Sequence, residues 1–208
     1  MDTKRLNAGG WIAVISMILV FVELATVLVT KHWPVLPAFL LSLPINLAQL
    51  YLSVFLLRTW KILLTRAYGF SEADSILDTL TMLVIVLCML GIINAAAKGL
   101  EPIDVVIGVL AVAFAVVTIV ARLVFARILL RLPDDLSGLK QTFCFLVMAE
   151  CICWFSIILI PLGLLLSVAI SIVNAMIFFQ TANRFDAARR FNCQQQLRET
   201  LNSEGANS

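Results

Sequence analysis

Residues 141–183 read QTFCFLVMAECICWFSIILIPLGLLLSVAISIVNAMIFFQTAN, and Glu150 is the only charged side chain in the stretch. As one helix it would be about 65 Å long at 1.5 Å per residue, twice the hydrocarbon thickness of a bilayer. It must therefore fold back once, and Pro161 with Gly163 marks the expected turn. Two membrane spans are implied, 141–160 and 162–183.

Working outward, the same alternation of apolar runs and polar breaks predicts four more spans, at about 11–30, 37–57, 76–97 and 103–121. Of the 208 residues, 62% are hydrophobic and 13% charged, with a mean hydropathy of +1.02. Soluble domains carry about twice that share of charge. The expected fold is an all-α integral membrane protein whose six transmembrane helices form three helical hairpins. Residues 1–191 would form the transmembrane domain and residues 192–208 a polar cytoplasmic tail. The basic start and apolar run of residues 1–30 are read as a retained first span, because no small-x-small cleavage site ends the run.

Thirteen of the 15 Lys and Arg residues fall at the ends of spans that share one side, leaving Lys31 and Lys98 on the other. By the positive-inside rule both termini are cytoplasmic, and the expected location is a bacterial inner membrane. A proline opens the second helix of each pair (Pro37, Pro102, Pro161), and an arginine follows each 29 residues on (Arg66, Arg131, Arg190). This is a faint repeat, since any hairpin with a proline in its first helical turn and a basic end would produce it. Three hairpins are also the plan of the mitochondrial carriers. The proline-acid-base motif that ends their odd helices is missing here, where the corresponding places read TKHWPVLP, AKGLEPID and ILIPLGLL.

Several function classes lack their signatures. There is no phosphate-binding glycine loop, no serine–histidine–acid set and no HExxH pair, so an enzyme is not expected. No basic patch interleaved with aromatics suggests nucleic acid. Five cysteines, four of them in apolar runs, are expected to be free thiols at helix contacts. Cys151 and Cys153 point about 200° apart on a helix and cannot chelate one ion, and the single histidine, His32, cannot supply paired haem ligands. No metal or cofactor is expected. Trp11, Trp33 and Trp60 are read as interfacial aromatics.

Ionisable groups at membrane depth are the sharpest chemical signal, because a buried charge is costly and has a partner or a task. Glu23 and Glu150 are expected about 10 Å and about 15 Å from the outer ends of their spans. Asn46, Gln49, Ser171 and Asn174 fall in the same slab, each pair three residues apart on one helix face. No Lys or Arg is expected at that depth, which leaves the two glutamates without a counter-ion. They would tie helices together through an amide or hydroxyl, or line a proton or cation path.

Span 4 carries Gly108, Ala111 and Ala115, a small-residue face that admits another helix, whether internal or from another chain. Two functions follow. The first is a non-catalytic subunit or scaffold of a membrane complex, with the lipid bilayer and a membrane protein or a second copy as partners. The second is a small proton- or cation-linked transporter or channel using Glu23 and Glu150.

Overall fold

The computed structural model describes residues 3–30, 33, 35–97, 102–134, 136–156 and 159–206. Lys31, His32 and Lys98 lie outside the described residues, as do the side chains of Asp104 and Cys193. Six α-helices are described: α1 (Thr3–Thr30), α2 (Val35–Ile62), α3 (Asp74–Ala97), α4 (Ile103–Leu130), α5 (Lys140–Trp154) and α6 (Ile160–Ala206). No strand occurs among the described residues. Five stretches are long and apolar enough to cross a membrane, falling on α1, on α2 with its continuation to Ala67, and on α3, α4 and α6.

The fifth predicted span is corrected. Its helix stops at Trp154, so α5 has 15 residues and is about 22 Å long, short of a hydrocarbon core. The chain tightens there through Phe155 N–H to Ile152 O at 3.2 Å and Ser156 N–H to Cys153 O at 3.1 Å. The turn thus precedes Pro161, which sits in the first turn of α6, where its missing N–H leaves no hydrogen bond unmade. Gly163 is likewise helical, packed close to Cys153 and Trp154. Helix α6 then runs unbroken for 47 residues, about 70 Å, straight through the expected domain boundary at 191.

The helices close into a ring in chain order. Each packs on its sequence neighbours, and α6 packs back on α1. Helix α2 packs on α3 as well as on α1, so packing alone does not divide the ring into hairpins. Closure depends on two glycines. A Cβ on Gly9 would lie 2.9 Å from Thr59 Cγ2, and one on Gly10 would lie 2.7 Å from the Phe179 ring, so larger residues would force α1 away from α2 and α6. At the end of α2 the helix widens into a π turn, Leu63–Ala67. Gly69, at φ +63°, then lets Phe70 N–H reach back to Leu64 O at 2.9 Å.

The apolar core lies at one end of the ring, the end that holds the start of α1 and the α2–α3 and α4–α5 connections. Its centre is Trp60, 3% exposed, and not the interfacial residue expected. The indole packs on Phe125, Phe143 and Phe178 at centroid distances of 6.0, 5.2 and 5.4 Å, joining α2, α4, α5 and α6. The expectation failed because the indole N–H finds a partner inside the protein: it donates to Asn174 Oδ1 at 3.0 Å. Trp11 and Trp33 are exposed, at 63% and 48%.

Candidate functional site

A half-open cavity of about 340 Å³ lies between the helices, and all six contribute to its lining. Their contributions follow helical periodicity. Helix α1 supplies Ser16 and Val20, α2 supplies Gln49, Ser53, Leu56, Leu57 and Trp60, and α3 supplies Leu80 and Val84. From α4 come Thr118, Arg122 and Phe125, from α5 Phe143, Val147 and Glu150, and from α6 Ser167, Ile170, Ser171 and Asn174. On α4 and α5 the spacing is i, i+4, i+7, the repeat that keeps side chains on one face. Ten of the 19 lining residues are aliphatic or aromatic and nine are polar or charged, so an apolar wall is combined with convergent polar groups, as in a small-molecule site.

Glu150 is the charged anchor. Its side chain is 2% exposed, and Arg122 Nη2 approaches its Oε2 to 2.6 Å, as an ion pair rather than an aligned hydrogen bond. The Ser167 hydroxyl donates to Oε1, and the same hydroxyl lies 3.1 Å from Gly163 O. A buried carboxylate is thereby held by α4 on one side and α6 on the other. Ser171 donates to Ser167 O at 3.0 Å, so its hydroxyl is tied into its own helix.

For Glu150, this overturns the expectation of a glutamate without a counter-ion. Arg122 falls one residue past the expected span 4 (103–121), on the helical continuation that carries α4 nine residues beyond position 121, to Leu130. Arg122 is therefore a helix-interior residue one turn past Thr118, facing the cavity. The signal was present in the sequence: Thr118, Arg122 and Phe125 repeat the i, i+4, i+7 stripe, and the spacing continues to Leu129, which is fully buried. Glu150 lies four residues, about 6 Å, from the end of α5, which stops six residues sooner than the expected span.

The six residues expected to form one polar layer divide. Gln49, Glu150, Ser171 and Asn174 line the cavity, whereas Glu23 and Asn46 do not. Glu23 is half-buried and accepts a side-chain hydrogen bond from Gln49. It stands three residues beyond Val20 on the α1 stripe, past the cavity's edge. Asn46 is half-buried, with Cys88 Sγ 3.8 Å from its carbonyl oxygen. Besides Glu150 Oε2, which faces Arg122, two buried polar atoms of the described lining have no hydrogen-bond partner, Ser16 Oγ and Gln49 Oε1.

The thiols face apart. Cys151 Sγ is 3.7 Å from Ile119 O, while Cys153 packs towards Gly163. Among the described residues, no three His, Cys, Asp or Glu side chains are grouped to hold a metal ion. Lys61 Nζ pairs with Asp78 at 2.6 Å on the surface, joining α2 to α3 at the core end of the ring. No protein-family model matches the sequence, and no curated protein or solved structure matches it either.

Proposed function

We propose that the chain is a polytopic membrane protein that admits a small solute to the centre of its helix ring, as a transporter or channel does. In this reading α1–α2, α3–α4 and α5–α6 cross the bilayer as three hairpins. The short α5 reaches only part of the depth, and both termini lie in the cytoplasm, as the bias of Lys and Arg indicates. The observation that carries the reading is the cavity: all six helices line it, and it holds a Glu150–Arg122 pair with its remaining polar groups turned inward. An ionisable pair inside a bundle marks a path or a binding site more often than a simple support, since the desolvation of two charges is seldom repaid in stability.

A subunit or scaffold role, placed first on sequence alone, becomes the second reading. It rests on Gly108, where nothing lies within 4 Å of the Cβ position, so the small-residue face of α4 is open to another helix.

Proteoliposomes separate the two. Uptake of a panel of small neutral and charged solutes is expected with the unaltered protein and not with Ser53→Trp, which adds bulk to the cavity wall while leaving both charged residues in place. Equal uptake by both proteins, or none by either, would refute the solute reading. A fixed companion at constant stoichiometry in the native membrane would then favour the subunit.

A further inference from the structure

The cavity contains two charges, and a solute entering it meets only one of them. Glu150 is 2% exposed, with Oε1 facing Ser167 and Oε2 facing Arg122. The Arg122 side chain is 34% exposed and lines the cavity. A guanidinium carries five N–H donors in a planar fork, and Glu150 occupies one of its nitrogens. Free N–H groups of such a fork match the paired oxygens of a carboxylate. An ammonium would need the carboxylate, which Ser167 and Arg122 already cover.

The rest of the lining narrows the class. Among the described residues no other ionisable group lines the cavity. Its walls are Val, Leu, Ile, Phe and Trp side chains, and hydroxyls and amides supply the remaining polar atoms, of which Ser16 Oγ and Gln49 Oε1 are unpaired. About 340 Å³ is the small end of the range for ligand sites, enough for one ring or a short chain. Resting on the function proposed above, we infer that the cavity takes a small organic carboxylate with an apolar body. Arg122 binds the carboxylate, and Glu150 with Ser167 are positioning residues that hold the guanidinium in place.

Three probes with a phenyl ring and different one-carbon head groups test this: benzoate, benzamide and benzylammonium, measured by calorimetry on the purified protein and by competition for uptake in proteoliposomes. Benzoate is expected to bind about ten-fold or more tightly than the other two, as a charge-assisted hydrogen bond implies. The double variant Arg122→Gln/Glu150→Gln, which leaves no lone charge, should lose that preference. Arg122→Lys keeps the ion pair and the fold, and should retain a weakened preference for the anion. Ser167→Ala should weaken benzoate and leave benzamide unchanged, a difference that a purely structural role would not produce.

Benzamide or benzylammonium binding as tightly as benzoate would overturn the inference, and so would a double variant that still prefers the anion. If solutes cross without regard to head group, the carboxylate site fails and the solute path stands. If no solute of any charge binds or crosses, the path itself fails and the site with it.

Discussion

The two ends of the ring are built from the same kinds of residue and packed in different ways. At the core end lie Leu6, Trp60, Leu64, Leu77, Leu129 and Phe178, all at most 3% exposed. Towards the opposite end buried hydrophobic side chains persist only on α5, as Cys151 and Cys153; among the described residues none follows Ala13 on α1 or Leu83 on α3, and none precedes Trp60 on α2, Ala121 on α4 or Ile170 on α6. Apolar content therefore does not determine which end is tight. Close approach does, through Gly9 and Gly10 at the α1 seam and through an aromatic cluster anchored by one indole hydrogen bond. Interfaces between helices of equally apolar surroundings are settled by fit and polar contacts, because lipid competes equally for greasy surface. The cavity lies where the fit ends, with Glu150 at that boundary and Glu23 beyond it.

Breaking the boundary should have the largest effect. Glu150→Ala leaves the Arg122 guanidinium without its partner, at an expected cost of about 3 kcal/mol, the low end for a buried pair because Arg122 is a third exposed. Unfolding followed in mild detergent would show it. Adding Arg122→Met should recover most of the loss, and a double variant as unstable as the single one would mean that Glu150 acts through contacts other than the ion pair.

The tight end comes next. Gly10→Leu places a side chain where the Phe179 ring already stands 2.7 Å from the Cβ position, and overpacking of this kind costs about 2 kcal/mol. Gly108 is the contrasting position. With open space around it, Gly108→Ala should raise stability by about 0.5 to 1 kcal/mol through helix propensity alone. A Gly108→Ala protein that is less stable, and that loses a dimer seen in cross-linking, would reassign the α4 face as an interface between copies.

How much of this was legible in the sequence differs from residue to residue. Six helices and their approximate placement could be read, five of them long and apolar enough to cross a membrane, because an apolar run of about 20 residues is a direct consequence of bilayer thickness. The end of α5 could not, because residues 155–160 are as apolar as the helix before them and only backbone geometry ends it at Trp154. Arg122 was misplaced for a related reason. An arginine at the edge of an apolar run reads as a snorkelling end residue until the glutamate that faces it is known, and Glu150 is 28 positions away. Trp60 failed in the same way, its partner Asn174 being 114 residues distant. Small residues misled in the opposite sense: the spaced set on α4 drew attention, while the adjacent pair Gly9–Gly10 makes the close contact.

The smallest effect is expected at the second glutamate, where the comparison can be made sharpest. Glu23 is half-buried and accepts a hydrogen bond from Gln49, and glutamine at position 23 keeps an acceptor oxygen of the same reach. Glu23→Gln should therefore change stability by a few tenths of a kcal/mol, the scale of exchanging one neutral-acceptor bond for a charged one at a partly solvated site. Glu150→Gln, the same chemical change at the cavity, removes the charge that Arg122 faces and should disturb both stability and ligand preference. Measured side by side under the same detergent conditions, the two substitutions ask whether a carboxylate's importance follows its depth in an apolar run or the cation that the fold brings to it. Equal losses at positions 23 and 150 would favour depth. A loss confined to Glu150 would assign the effect to the α4–α5–α6 contact, leaving Glu23 as a helix tether whose charge is dispensable.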